Sequence, residues 1–95
     1  MTLEYVRFET NDAAALTTAR GQLIARLKER YGSDFLSATL VAFDDGSIGD
    51  VILWNSREAA ERAAKEMPSD PASADFFGQI GAVREMSHAE VLHSA

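Results

Sequence analysis

The sequence predicts an α+β fold, a ferredoxin-like βαββαβ protomer in which a four-stranded antiparallel sheet carries its helices on one face. Three observations support it. Four stretches have the character of strands, a stretch with helical spacing follows the first and another follows the third, and a tight-turn sequence joins the second strand to the third. Right-handed crossovers convert this order into the ferredoxin-like topology. The 95 residues, 46% of them apolar, fit a single domain spanning 1–95.

The first strand and first helix follow from a change of period. A strand is predicted over Thr2–Thr10, where alternation separates two faces: Leu3, Tyr5 and Arg7 on one, Val6 and Phe8 on the other. A helix follows, because Asp12 and its neighbours offer N-cap oxygens and Gly32 offers a C-cap. Apolar residues then recur at helical spacing, which predicts the face that packs on the sheet: Leu16, Leu23, Leu27 and Tyr31.

A β-hairpin is predicted next. Its strands span Asp34–Phe43 and Ser47–Asn55, and the residues Asp44-Asp45-Gly46 between them are typical of a turn. A second helix is predicted over Arg57–Met67, because Ser56 can cap its start and Pro68 disfavours its continuation.

The last third of the chain contains a short helix and a final strand. The helix restarts at Asp70-Pro71 and carries Phe76, Phe77 and Ile80. The strand is predicted over Ala82–His93, where the alternation is less regular.

The middle strands are apolar on both faces, and helices on one face cannot cover both. An exposed face of Ile, Leu, Val and Phe would be a large apolar patch, and such patches mark interfaces. The sequence therefore predicts a homodimer in which the sheet face opposite the helices meets that of a second copy.

Composition excludes several partners and chemistries. The net charge of −6 disfavours binding to nucleic acid and to anionic membrane surfaces. The chain has no cysteine, and His88 and His93 lack metal-ligand spacing, so neither thiol chemistry nor a metal site is predicted. A cytoplasmic location is expected, because no leader and no apolar run approaching the ~18 residues of a membrane span occurs.

Asp50 and Trp54 alternate along the third strand, so their side chains project to the same face. An unpaired buried carboxylate is costly, so Asp50 either reaches water at the hairpin end, which is the commoner arrangement, or has a buried partner. Trp54 is most simply a core residue whose N–H needs an acceptor. If this face borders a cavity, both become candidate catalytic residues.

Arg20 lies in the apolar sector of the first helix, between Leu16 and Leu23. The commoner arrangement is that the stem packs while the guanidinium reaches water. The alternative is that Arg20 enters the space between helix and sheet, where it would meet an acid such as Asp50 or an anionic ligand. In the second case Arg20 is a candidate substrate-binding residue.

The second helix presents a face made almost entirely of alanine. Small side chains either let the helix approach the sheet closely or leave a void, and the sequence does not decide between these outcomes. A void bordered by Trp54 would be an apolar pocket with a few polar groups, as small-molecule sites usually are. The candidate substrate-binding residues of such a pocket are Ala60, Ala63, Met67, Phe76 and Phe77.

His88 shares a face of the last strand with Met86 and Glu90. An imidazole titrates near neutral pH, so His88 is a candidate general base. The commoner role of a lone histidine in an exposed strand is that of an ion-pair partner, here of Glu90.

Several segments resemble the antibiotic biosynthesis monooxygenase family: FLSAT (Phe35–Thr39), the turn at Asp45-Gly46, LWNSREAA (Leu53–Ala60) and SDPASADFF (Ser69–Phe77). The resemblance implies a ferredoxin-like protomer that joins a second copy as a dimeric α+β barrel, with a cavity between sheet and helices. It also implies, from the quinol- and polyketide-oxidising members, a reaction without metal or flavin. In that reaction an easily oxidised aromatic passes an electron directly to dioxygen.

The resemblance transfers to individual residues only in part. The strand tryptophan of the family matches Trp54. Asp50 stands where polyketide-oxidising members have an asparagine, Ala60 stands where they have a tyrosine, and their cavity arginine has no clear match. In the haem-degrading branch the second tryptophan falls near Ala63 and the haem ligand near Gln79, so haem binding is not predicted. No cofactor is expected.

Two functions remain open at this point. The first is a cofactor-independent monooxygenase-like protein acting on a small aromatic, quinol or polyketide-like substrate. In that function Trp54 orients the substrate, Asp50 accepts a proton, and Arg20 or His88 stabilises negative charge. The alternative is a non-catalytic small-molecule-binding or dimerisation module on the same scaffold, which the missing tyrosine and arginine favour.

Overall fold

Four strands and three α-helices make up the chain, which a computed structural model describes over all residues 1–95. In order they are β1 (Thr2–Phe8), α1 (Ala13–Tyr31), β2 (Phe35–Ala42), β3 (Ile48–Trp54), α2 (Arg57–Glu66), α3 (Ala74–Gly78) and β4 (Val83–Glu90). The strands form one antiparallel sheet in the order β2-β3-β1-β4. This topology confirms the predicted ferredoxin-like fold.

The helix ends use the predicted caps. The Asp12 side chain accepts a hydrogen bond from the Ala15 N–H at 2.9 Å, and the Ser56 hydroxyl accepts one from the Ala59 N–H at 3.1 Å. Gly32 ends α1 with a positive φ of 54°, a conformation that favours glycine.

Several element ends differ from the prediction by one to three residues, most clearly in the last third of the chain. β4 ends at Glu90 rather than His93, because Glu90 pairs with Thr2 at the start of β1 and little of β1 remains to pair with later residues. The third helix ends at Gly78, so Ile80 follows it rather than lying within it.

The strand register separates two faces of the sheet, because residues directly opposite in an antiparallel pair share a face. The face toward the helices carries the side chains of Thr2, Glu4, Val6 and Phe8, with Ile48, Asp50, Ile52 and Trp54 opposite them. The other face carries Leu3, Tyr5, Val51 and Leu53, all of which are only partly buried in one copy of the chain.

The core lies between the helices and the first of these faces. The predicted apolar sector of α1 is buried there, which confirms it: Leu16, Leu23, Leu27 and Tyr31. Trp54 packs edge-on against the rings of Tyr31 and Phe35, at centroid distances of 5.4 and 5.6 Å. None of the helices has both the length and the apolar character needed to cross a membrane.

Candidate functional site

A cavity of about 260 Å³ lies between the sheet and the helices. Its lining is apolar apart from two acidic side chains, Glu4 and Asp50, and the indole edge of Trp54. A mostly apolar cavity with a few convergent polar groups is typical of small-molecule sites. Its volume is slightly below the ~300–1,000 Å³ of most such sites, which favours a ligand of one or a few rings.

One side of the cavity is bordered by exposed apolar residues. Phe77, Val83 and Met86 line it and are 38%, 56% and 51% exposed. Exposed apolar side chains at the rim of a cavity mark the side from which a ligand can enter.

Asp50 and Arg20 form a buried ion pair at the cavity wall. The two guanidinium nitrogens Nη1 and Nη2 donate to Oδ2 and Oδ1 of Asp50 at 2.5 and 2.9 Å. Both residues are buried, at 4% and 8% exposure for Asp50 and Arg20. The expectations that Asp50 reaches water and that the head of Arg20 does so are therefore wrong, because each charge finds its partner inside the domain.

Glu4 is a site residue that the sequence reasoning missed. It lies on β1 opposite Ile52, is 8% exposed, and its Oε1 accepts the indole N–H of Trp54 at 3.1 Å. The signal that could have identified it is the strand period, which places Glu4 on the face of Val6 and Phe8. A carboxyl among apolar neighbours on a core face implies either a partner or a function.

The surroundings of Glu4 raise the pKa of its carboxyl. The pKa of Glu4 is raised from its ordinary value of 4.5 to about 7. Burial is the main cause, the hydrogen bond from Trp54 opposes it, and the negative charge of Asp50 adds to it. The carboxyl can thus gain or lose a proton near neutral pH. Groups with pKa values in this range are suited to proton transfer.

His88 lies beside Glu4 on the neighbouring strand, not beside Glu90 as an ion-pair partner. Its Nε2 atom is 3.9 Å from Oε1 of Glu4, and this nitrogen is buried without a hydrogen-bond partner. The Glu90 carboxylate instead accepts a hydrogen bond from the Thr2 hydroxyl at 3.1 Å. His88 is not itself among the lining residues of the cavity and contacts it through Glu4.

The alanine face of α2 approaches the sheet closely at one position and borders a cavity at another, so both arrangements that the sequence left open occur. Ala60 is fully buried and does not line the cavity, so at this position the small side chain permits close approach. Ala63 lines the cavity, and so do Met67, Phe76 and Phe77. The void therefore opens at the C-terminal half of the helix.

The segment that carries Phe76 is tied to α1 by one carboxylate. Asp70 is buried, and its Oδ2 accepts hydrogen bonds from Arg26 at 2.8 Å and Arg30 at 3.0 Å. The hydrogen bond from Arg26 lowers the pKa of Asp70 below its ordinary value. Its Oδ1 also caps the following turn through the Ala72 N–H. These contacts fix the wall of the cavity that α3 provides.

The structure contains no group of three or more His, Cys, Asp or Glu side chains that could hold a metal ion.

Comparison with solved structures identifies proteins of the same fold. SnoaB from Streptomyces nogalater, a cofactor-independent oxygenase, superimposes with a TM-score of 0.73 at 18% identity, over 98% of this chain and 95% of that chain. The ActVA-Orf6 monooxygenase of Streptomyces coelicolor, solved with nanaomycin D, gives a TM-score of 0.66 at 18% identity, over 99% and 89%.

This chain has the fold of solved structures described as antibiotic biosynthesis monooxygenases. Rv0793 from Mycobacterium tuberculosis is a further structure similar to it, with a TM-score of 0.60 at 20% identity, over 99% of this chain and 97% of that one. No protein-family model and no curated protein matches the sequence. At these identities the likeness to the monooxygenase structures establishes the fold, and any activity has to be argued from the cavity.

Proposed function

We propose that this protein is a cofactor-independent monooxygenase that acts on a small hydroxylated aromatic compound of the quinol or anthrone type. The observation that carries the proposal is the apolar cavity with Trp54 in its wall and a carboxyl of raised pKa beside it. The cofactor-independent oxygenase SnoaB, which shares the fold, supports it.

The chemistry requires little from the protein beyond the cavity. A cavity base removes the proton of a ring hydroxyl, and the resulting anion, whose charge is shared with a ring carbon, gives one electron to dioxygen. The two radicals combine at that carbon to form a C–O bond, and loss of water leaves a ring carbonyl. One oxygen atom thus stays in the product, while the other leaves as water with the hydroxyl hydrogen and the hydrogen of the oxygenated carbon, so no external reductant is needed. An apolar, water-poor cavity protects the intermediates from side reactions.

The protein is also proposed to act as a homodimer. The sheet face with Leu3, Tyr5, Val51 and Leu53 has no helix over it, and these side chains remain partly exposed in one copy. Burial of such a surface against its symmetry mate is the simplest way to remove it from water.

A non-catalytic ligand-binding module is the second candidate. The observation that favours it is that both oxygens of Asp50 are already occupied by Arg20, while Ala60 stands at the tyrosine position of the resemblance. Native mass spectrometry of the purified protein distinguishes an occupied cavity from an empty one. A retained small molecule together with no turnover of any phenolic compound would support this candidate.

Oxygen uptake tests the monooxygenase proposal. We expect uptake above the buffer rate with at least one member of a panel of hydroquinones and anthrones. With ¹⁸O₂ we expect one labelled atom in the product and one in water. Absence of uptake across the panel, or unlabelled product, would contradict the proposal.

A cavity-filling variant tests the site. Ala63→Leu extends a side chain into the cavity and should reduce kcat/KM by at least tenfold while the protein stays folded. Ala14→Leu on the exposed side of α1 is the matched control and should leave turnover unchanged.

A further inference from the structure

We propose that Glu4, rather than Asp50, takes the proton from the ligand in this cavity. The inference deepens the proposed function and takes its ligand class, a neutral hydroxylated aromatic, from it. Glu4 lines the cavity and is 8% exposed. Its Oε1 receives the Trp54 indole N–H and no other hydrogen bond in the structure reaches the carboxyl, so Oε2 is open to a ligand hydroxyl.

Asp50 lines the same cavity, but it has no carboxylate oxygen free to accept a hydrogen bond from a ligand hydroxyl. Each of its two oxygens receives a hydrogen bond from the guanidinium of Arg20. Protonation of Asp50 would break a bidentate contact and leave Arg20 charged and buried without a partner, which is strongly unfavourable. Asp50 therefore contributes a fixed negative charge, while Glu4 contributes the exchangeable proton site.

No lysine or arginine side chain is paired with Glu4. From β3 it meets Trp54 and the charge of Asp50, and from β4 it meets His88, whose Nε2 lies 3.9 Å from Oε1. Arg20 of α1 is engaged by Asp50, and α2 and α3 present only apolar side chains to the cavity. This arrangement accounts for a pKa of about 7, at which a general base is effective at neutral pH.

The same arrangement selects the charge of the ligand. No unpaired cationic side chain lines the cavity, so a ligand that arrives as an anion meets an apolar wall and two acids. A neutral phenol can enter, donate its hydroxyl hydrogen to Oε2 of Glu4, and leave the cavity charge unchanged when the proton transfers. Neutral hydroxylated rings are therefore favoured over their carboxylated analogues.

The single tryptophan of the chain provides a direct readout. The ¹H–¹⁵N resonance of the Trp54 indole should shift with a midpoint near pH 7 in the ligand-free protein, because its hydrogen-bond acceptor is Glu4. His88→Gln, which removes the imidazole beside Glu4, should keep this step. Glu90→Gln, the matched substitution on the same sheet face, should also keep it, and Glu4→Gln should abolish it. A midpoint in the ordinary carboxyl range near ~4.3, or a step that survives Glu4→Gln, would overturn the proposal.

Binding of 4-nitrophenol, whose neutral and anionic forms absorb at different wavelengths, tests proton transfer itself. Above the midpoint of the Trp54 step, the wild type and Glu90→Gln should hold a larger phenolate fraction than Glu4→Gln, which should bind the neutral phenol. Equal phenolate fractions in all three proteins would overturn the role of Glu4.

With an oxidisable quinol, Glu4→Gln should lower kcat roughly a hundredfold. Full turnover by Glu4→Gln would reject the role of Glu4 and leave the monooxygenase proposal intact. If the Trp54 step and the proton transfer occur as expected but no oxygen is consumed, the role of Glu4 stands and the monooxygenase proposal is rejected.

Discussion

Arg20 and Asp50 show how two charged residues come to lie inside this small domain. Arg20 occupies a buried position of α1 and Asp50 a buried position of β3, and the bidentate contact between them satisfies both oxygens of the carboxylate. Neither residue could be placed from its own neighbours in the sequence, because α1 and β3 are distant along the chain. Only the register of the folded domain brings them together.

Removal of either partner should be strongly destabilising. We expect Arg20→Met and Asp50→Leu each to lower the free energy of unfolding by about 3–5 kcal/mol, because each leaves a buried charge unpaired. The double variant should recover most of that loss, since it buries no charge. Urea unfolding of the four proteins measures the cycle. Single variants within about 1 kcal/mol of the wild type would show that the pair is not buried in solution.

Glu4 should make stability depend on pH in a defined window. Its pKa is raised from 4.5 to about 7 in the folded protein, so the folded state holds the proton more tightly than the unfolded state. The associated stability is fully present below pH 4.5 and is lost as the pH rises to about 7. Relative to Glu4→Gln, the wild type should lose roughly 3 kcal/mol of unfolding free energy across that window. Urea unfolding at a series of pH values measures this difference, and a pH-independent difference would contradict it.

At the scale of the elements, α2 combines two uses of alanine along one face. Ala60 is in close contact with its surroundings, while Ala63, one turn later, borders the cavity. The sequence identified the face but could not separate these uses, because both positions carry the same residue.

Leucine substitutions should separate the two alanines. Ala60→Leu has no space to enter and should destabilise the protein by about 1–3 kcal/mol through overpacking. Ala63→Leu can extend into the cavity, so it should change stability less while it weakens ligand binding. Thermal unfolding of both variants measures the contrast. A larger loss for Ala63→Leu than for Ala60→Leu would show that the cavity is closed in solution.

At the scale of the whole molecule, one face of the sheet has no helix over it. Val51 lies near its centre, paired with Tyr5 on one side and Thr39 on the other. We expect the wild type to be a dimer at micromolar concentration and Val51→Glu to be a folded monomer, because a charge would be buried without a partner at the interface. Light scattering after size-exclusion chromatography measures this. Gln22→Glu, on the exposed side of α1, is the control and should remain a dimer. A monomeric wild type would contradict the proposed dimer.

The sequence was sufficient for the fold and for part of the site. Periodicity and turn residues predicted every strand and the three helices, because these signals are local. The spacing of apolar residues predicts that Ala60, Ala63 and Met67 face the sheet, but it leaves open which of them border a cavity, because close packing and a void need the same small side chains. Glu4 and the partner of Asp50 could not be placed in the same way, since their roles depend on which strand lies beside β1 and which helix crosses β3.

The central claim is that the cavity under α2 binds a small hydroxylated aromatic. The measurement that tests it most directly is an NMR titration of the labelled protein with hydroquinone. We predict saturable shifts that are largest at the Trp54 indole and at the methyl groups of Ala63 and Met67, and that are lost in Ala63→Leu. No shifts up to millimolar hydroquinone, or shifts confined to the groove between α1 and α3 near Gln22 and Asp75, would contradict it.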